Sequence, residues 1–167
     1  MRILTIKDKK DLKILRKKTS AIKSETINKA KFKKLIDDMT ETMLKADGIG
    51  LAANQIGLGI KLFVAEVPND KGGKNKFYAI FNPEITRQSK ETSEMEEGCL
   101  SVPETYGAVK RPEKITMTGY NINGKKLKIK AWGLTAKIFQ HEIDNLNGKL
   151  FIDAAKNIHK IEENKKE

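Results

Sequence analysis

Cysteine and long apolar runs are both scarce in this sequence of 167 residues. The single cysteine, Cys99, excludes an internal disulfide and fits a reducing compartment. No segment approaches the ~18 consecutive apolar residues of a membrane-spanning helix, so we expect no membrane partner. The N-terminus, Met1–Lys7, lacks the long apolar core of a secretory signal peptide, and no transit-like extension precedes the predicted domain. These absences favour a soluble cytoplasmic protein.

Hydrophobic residues make up only 38% of the chain, whereas charged residues make up 33% and give a net charge of +11. A positive net charge of this size is typical of proteins that contact RNA or the ribosome. It is equally typical of a lysine-rich surface that is exposed to water and binds nothing. Nothing in the sequence indicates a specific DNA partner. The length is that of one domain, and no repeat or linker divides it. We therefore predict a single domain over residues 1–167, of which 154–167 form a charged tail.

The periodicity of apolar residues predicts two amphipathic helices separated by strands. The first helix starts near Ser24–Asn28, which offers capping side chains, and ends at Asp47–Gly48; the second runs from Trp132 to Leu146. Between them, Asn123–Gly124 is a strong hairpin turn signal. The predicted strands are 60–67, 77–81, 115–122 and 126–130. This order predicts an α+β fold with antiparallel strands.

Three short blocks hold most of the chemically active side chains: Gly48–Gln55, Glu97–Ser101 and Gln140–Asn145. On a helix, His141 and Asn145 project from the same face, because residues four apart lie one above the other. Cys99 offers a soft thiolate ligand for iron or zinc. Gln55 offers a side-chain N–H for a developing oxyanion, and its neighbouring glycines allow close approach of a substrate.

Each block also has a structural interpretation. A His-Glu pair on a helix is usually structural when it occurs in isolation, and a lone cysteine is commonly a small buried side chain. The three blocks together, in this order, indicate a metal-dependent hydrolase.

The chain resembles the peptide deformylases, metallohydrolases that remove the N-formyl group from nascent polypeptides. The family signatures are Gly-x-Gly-Leu-Ala-Ala-x-Gln, Glu-Gly-Cys-Leu-Ser and Gln-His-Glu-x-Asp-His. The first two are complete here, and the third lacks only its final histidine, which is Asn145. The likeness runs from about residue 3 to residue 153, includes Phe81–Pro83 and Leu146–Asp153, and resembles the compact bacterial type. It implies antiparallel sheets packed around a central metal-binding helix.

The resemblance also implies a role for each matching residue. One divalent metal is expected, iron(II) first, with zinc, nickel or cobalt as substitutes. The substrates are expected to be N-formylmethionyl peptides. The implied metal ligands are Cys99, His141 and, at the departing position, Asn145. The implied catalytic groups are Glu142 as general base and Gln55 with the backbone N–H of Leu100 as oxyanion donors. The implied substrate-binding groups are Ile49, Gly50, Gly98, Leu134 and Ile138, and the implied supporting pair is Glu97 with Arg111.

Asn145 leaves three outcomes open. It is a weak third ligand in a working enzyme, the mark of a site that binds metal poorly, or a change made to weaken the site. His159, the only other histidine, is a candidate replacement ligand. The alternative function is a catalytically weak deformylase-like protein that binds nascent chains or the ribosome. A zinc endopeptidase is a poorer interpretation, since it requires two histidines on the helix and no thiolate.

The C-terminus is a second departure from the family. Some members carry a long basic C-terminal helix that docks on the ribosome, but little of this chain follows Asp153, and Glu162, Glu163 and Glu167 dilute its positive charge. We expect this tail to be helical or frayed. The net charge of +11 still favours weak, salt-sensitive contact with ribosomal RNA.

Overall fold

The computed structural model describes residues 1–69 and 72–161, and the described residues form three α-helices and eight strands. The helices are α1 (Lys9–Leu15), α2 (Lys29–Lys45) and α3 (Gly133–Leu146). The strands are β1 (Gly50–Ala52), β2 (Leu62–Val67), β3 (Lys76–Gln88), β4 (Thr92–Cys99), β5 (Val102–Pro112), β6 (Lys114–Tyr120), β7 (Lys126–Trp132) and β8 (Lys156–Lys160). The predicted α+β class is confirmed. None of the described helices is both long and apolar enough to span a membrane.

Helix α2 begins at Lys29, directly after the predicted capping segment Ser24–Asn28. Ser24–Thr26 form a short 3-10 turn, and the side chain of Asn28 caps α2 by accepting from the backbone N–H of Lys31. The predicted apolar stripe is buried along one face of the helix. Lys45 is the last helical residue, and Asp47 then adopts a left-handed conformation with φ of 55°, so the predicted helix end is confirmed.

A five-stranded antiparallel sheet, in the order β1-β2-β3-β6-β7, carries α3 on one face. Phe63, Ile80 and Met117 of the sheet pack with Phe139 and Ile143 of α3 in one buried cluster. This burial holds α3 against β1 and β2 through its apolar side and leaves its polar residues facing the site. The predicted hairpin is present as β6 and β7, with Tyr120 opposite Lys126. Strand β3 is longer than the predicted strand 77–81 and continues to Gln88.

A second antiparallel sheet has three strands in the order β4-β5-β8. The predicted strands did not include β4 or β5. The expectation of a helical or frayed tail was wrong for residues 157–160, which belong to β8 and pair with β5. Local sequence did not reveal this strand, because every residue of β8 is exposed and only pairing with β5 defines it. Residues 162–167, and 70–71 of the predicted loop 68–75, lie outside the described residues.

Candidate active site

All three sequence blocks meet in one cleft of about 580 Å³. The cleft is lined by the segment that follows α2 and the start of β1, by the end of β4 and the start of β5, and by one face of α3. Of the predicted site residues, only Arg111 and Asn145 lie outside its lining; both are buried behind it. The lining includes Ile49, Gly50, Gln55, Glu97, Gly98, Cys99, Leu100, Leu134, Ile138, His141 and Glu142.

His141 is oriented by a buried ion-pair network. Its Nδ1 lies 2.9 Å from Glu97 Oε2, and both carboxylate oxygens of Glu97 accept hydrogen bonds from Arg111, at 2.5 and 2.9 Å. Arg111 also binds Asp144 at 2.8 Å. With Nδ1 committed to a carboxylate, the other ring nitrogen of His141 faces Cys99. A carboxylate that fixes the far nitrogen of an imidazole is the usual support of a metal-binding histidine.

The hydrogen bonds and ion pairs in this network stabilise the charged forms of its side chains. Burial alone raises the pKa of Glu97, but hydrogen bonds from His141 and Arg111 outweigh it and lower the pKa below its usual value. Burial likewise opposes the charged form of His141, but hydrogen bonds to Cys99 and Glu97 raise its pKa well above the usual range. A metal ion that binds His141 must displace the proton that these contacts favour on its ring.

Glu142 is buried at the floor of the cleft and has a perturbed acidity. Burial raises the pKa of Glu142 to about 7, although the charge of His141 and a hydrogen bond from Asn145 oppose the shift. A carboxylate with a pKa near the working pH can both accept and return a proton. Glu142 also lies beside His141, whose charge acts on its carboxyl group.

Gln55 lies in a 3-10 turn, Ala53–Ile56, with its side-chain N–H2 turned toward the site. Its Oε1 accepts a hydrogen bond from the backbone N–H of Ala52 at 2.8 Å, so the side-chain nitrogen points to the opposite side, toward the cleft. That nitrogen donates to Ser101 Oγ at 3.0 Å and lies 3.5 Å from Cys99 Sγ. The sequence did not single out Ser101, although this fully buried serine closes the Glu97–Ser101 block and orients Gln55.

Two sheet edges flank the cleft and carry the predicted substrate-binding backbone. Strand β1 ends the five-stranded sheet, and β4 ends the three-stranded sheet. Gly50 lies at the start of β1 and Gly98 near the end of β4. Ile49 is 44% exposed beside them, while Ile138 is buried in the cleft wall. Terminal strands of this kind can accept an extended peptide as an added strand.

Gly50 is required by space and not by backbone conformation. A Cβ at this position would overlap the carboxyl group of Glu142, so this side chain would have to leave its present position. We expect Gly50→Ala to displace Glu142 and lower kcat by about tenfold or more, in line with the contribution of a well-placed proton carrier. Gly59→Ala is the matched control, since a Cβ there meets nothing within 4 Å. Equal kcat values for both variants and the parent protein would show that the position of Glu142 is not critical.

Asn145 lies beneath Cys99 and is 1% exposed. Its Nδ2 is 3.4 Å from Gln55 Oε1, 3.5 Å from Glu142 Oε2 and 3.9 Å from Cys99 Sγ. Its Oδ1 is buried with no hydrogen-bond partner among the described residues. Residues 1–69 and 72–161 contain no group of three His, Cys, Asp or Glu side chains that could hold a metal ion, and the third place here is an amide.

The donor chemistry nevertheless fits one divalent cation. The thiol of Cys99 contacts an imidazole whose far nitrogen is committed to a carboxylate, and the amide of Asn145, whose oxygen has no partner among the described residues, lies beside the same thiol. His159 lies elsewhere. It is on β8, half exposed, and its contacts are with Glu96, Tyr106 and Asn157. None of its contacts among the described residues is with Cys99 or His141, so the structure gives no support to His159 as a replacement ligand.

An α+β fold whose cleft joins a thiol, an imidazole and a buried carboxylate has the donor and acid–base groups of a metal-dependent hydrolase. The family model for polypeptide deformylase matches residues 1–161. The chain belongs to the polypeptide deformylase family.

Relatives and solved structures agree with this placement. The chain is 47% identical to a peptide deformylase of Syntrophobacter fumaroxidans over 84% of its length and 79% of the relative. It is 42% identical to that of Caulobacter vibrioides, over 91% and 86%. The structure of peptide deformylase from Thermotoga maritima superposes with a TM-score of 0.82 at 37% identity, over 93% of this chain and 97% of that one. A probable peptide deformylase from Synechococcus phage S-SSM7 gives a TM-score of 0.83 at 39% identity, over 92% and 99%.

The family defines the reaction. The chain is a hydrolase of N-terminal processing that acts on N-formylmethionyl peptides, and its cofactor is a divalent metal. The resemblance inferred from the three blocks is therefore confirmed.

Proposed function

We propose that the cleft hydrolyses the formyl amide of N-formylmethionyl polypeptides with Glu142 as general base. The observation that carries this assignment is the buried carboxylate with a pKa of about 7, placed beside His141. From this position Glu142 accepts a proton from the attacking water and passes one to the leaving amine.

The remaining roles follow from the contacts in the cleft. Gln55, held by Ala52, presents its N–H2 to the developing oxyanion together with the backbone N–H of Leu100. The backbone of Ile49, Gly50 and Gly98 binds the peptide between the two sheet edges. Ile49, Leu134 and Ile138 form the apolar wall for the methionine side chain. Glu97 and Arg111 hold His141 in place.

Cys99, His141 and Asn145 would hold the metal, and we propose iron(II), with zinc, nickel or cobalt as substitutes. A thiolate and an imidazole suit these ions better than magnesium or calcium. When bound, the cation supplies Lewis-acid activation of the water and of the formyl carbonyl.

The experiment that tests this function is deformylation of formyl-Met-Ala-Ser by anaerobically purified protein, with and without added iron(II) or nickel(II), together with metal analysis. Metal-dependent turnover supports the proposal. A folded, metal-free protein without turnover would favour the second candidate, a deformylase-like protein that binds nascent chains. The observation that favours this second candidate is the amide of Asn145 at a ligand position.

We further propose weak contact with ribosomal RNA through the outer face of the β6–β7 hairpin. Residues 114–132 contain five lysines and no acidic residue. Lys126, Lys128 and Lys130 alternate along β7, all exposed, and end at Trp132, which is 70% exposed. None of these lysines forms an ion pair with another described residue. A basic row with an aromatic platform is typical of single-stranded RNA contact.

The double variant Lys128→Glu/Lys130→Glu is expected to weaken binding to a fluorescent single-stranded RNA about tenfold and to reduce the salt dependence by about one to two phosphate contacts. The matched control is Lys33→Glu/Lys34→Glu on α2, which changes the net charge equally, although these lysines already pair with Asp37 and Asp38. Fluorescence anisotropy at several salt concentrations gives both quantities. Equal loss in the two variants would assign binding to net charge and not to this hairpin.

A further inference from the structure

The amide of Asn145 has an uneven set of contacts. Its nitrogen faces three acceptors, Gln55 Oε1, Glu142 Oε2 and Cys99 Sγ, at 3.4, 3.5 and 3.9 Å. Its oxygen has no partner among the described residues although the side chain is 1% exposed. A buried amide normally has both ends hydrogen-bonded. The surroundings of Asn145 therefore provide hydrogen-bond acceptors for its amide nitrogen but no donor for its amide oxygen.

The three acceptors explain why the nitrogen faces inward. A sulfur, a carboxylate oxygen and an amide oxygen converge on the N–H2 group, which carries partial positive charge. Half a turn about the last side-chain bond would bring Oδ1 against these same electron-rich atoms. That orientation is repulsive unless a cation lies between them. The charge of the site, and not its shape, thus decides which end of the amide faces Cys99.

A divalent cation would reverse the preference. It would take the place of the N–H2 group as the positive centre that faces Cys99, and Oδ1 would become a favourable third donor beside Cys99 and His141. The turn would give the oxygen a partner, but it would take the N–H2 group away from its three acceptors. The attraction between the cation and the oxygen must therefore outweigh this loss, a cost that a histidine at this position would not have.

We propose that Asn145 is a conditional metal ligand, with its amide nitrogen turned toward Cys99 in the metal-free protein and its oxygen turned inward when a divalent cation binds. This inference rests on the proposed assignment of Cys99 and His141 as ligands. It has two consequences. Cation binding must break the hydrogen bonds of Asn145 to Gln55 and Glu142, so affinity is reduced. The metal-free site keeps a hydrogen-bond network of its own, so the protein stays folded without metal.

The test uses zinc alone, without substrate. In protein with nitrogen-15 labelled asparagine, the side-chain amide pair of Asn145 is expected to shift on Zn²⁺ addition. The pair of Asn82, whose amide binds both backbone groups of Ile22, is expected to stay in place. Resonances are assigned with Asn145→Ala and Asn82→Ala. An unshifted Asn145 pair at saturating Zn²⁺ would overturn the proposal, as would the absence of Zn²⁺ binding.

Affinity gives a second, independent measurement. Competition against a chromophoric chelator is expected to show Zn²⁺ binding at least about tenfold weaker in Asn145→Ala, which has no third donor, and tighter in Asn145→Asp, which offers oxygen in either orientation. Circular dichroism confirms that each variant is folded. Equal affinity of the alanine variant and the parent would overturn the proposal.

These readouts are separate from the reaction. A zinc-dependent amide shift in a protein without deformylase turnover would support the conditional ligand and count against the proposed function. Turnover without the zinc-dependent amide shift would support the proposed function and count against the conditional ligand.

Discussion

Glu142→Ala is expected to lower kcat for formyl-Met-Ala-Ser by about 10²- to 10⁴-fold, the usual contribution of a general acid–base group. The physical reason is that Glu142, whose pKa burial raises to about 7 beside His141, is the proposed proton carrier. Metal content is expected to persist, because Cys99 and His141 are untouched. Removal of a buried carboxylate also removes its desolvation penalty, so the fold is expected to tolerate the change.

The measurement pairs steady-state kinetics with elemental analysis of the same preparation. Glu142→Gln keeps the shape and removes the proton chemistry, so it is expected to lose activity to a similar extent. Glu96→Ala is the matched control, since this acid lines the same cleft but is exposed and forms only a long contact, 3.5 Å, with His159. Turnover that survives in Glu142→Ala with full metal content would place the base elsewhere.

Asn145→His is expected to raise metal affinity by about tenfold to a hundredfold and to increase turnover at limiting metal. Imidazole nitrogen is a stronger ligand than an amide oxygen for iron or zinc. A histidine also needs no change of orientation to coordinate, whereas the amide must give up its hydrogen bonds to Gln55 and Glu142. The larger ring must fit a position that is 1% exposed, so part of the gain is offset by repacking.

Metal retained after dialysis against a chelator, and kcat measured at fixed substoichiometric iron(II), test this prediction together. Asn147→His is the control, because it places an imidazole just beyond α3 at a residue with no contact to Cys99 or His141 among those described. The same gain in both variants would indicate unspecific binding by an added histidine. If metal content and turnover are unchanged or fall in Asn145→His, residue 145 is not at the ligand position.

The two assays also separate the open interpretations of Asn145. A parent protein that turns over with metal and improves with histidine is a working enzyme with a weakened third ligand. A parent without turnover that gains it with histidine is a deformylase fold whose site has been disabled at one residue. The conditional-ligand proposal is decided by neither result, because it concerns the orientation of the amide and is measured without substrate.

The sequence predicted the two long helices, the hairpin and the α+β class, because each depends on periodicities or turns that are local along the chain. It missed the short strand β1, the extent of β4 and β5, and β8. Strand β8 shows the reason most clearly. Its five residues are all exposed, so no alternation marks it, and it exists only through pairing with β5.

For the candidate site, the sequence by itself determined which side chains are present and their spacing on α3, and so the family and its reaction. Helical geometry alone brings His141 and Asn145 to one face. Only the tertiary structure decided how these groups face one another. Glu97 orients His141 from a different strand, Ser101 holds Gln55, and burial raises the pKa of Glu142 to about 7.

The orientation of the Asn145 amide is the clearest case of this division. The sequence showed an asparagine where a third ligand is expected, and this fact alone left its role open. Its nitrogen faces Cys99 because residues from three separate segments place electron-rich atoms around it. Such a local electrostatic field is a property of the packed chain. The sequence specifies which residue stands at each position. The orientation of a buried amide and the pKa of a buried carboxyl group depend instead on the neighbours that folding places around them.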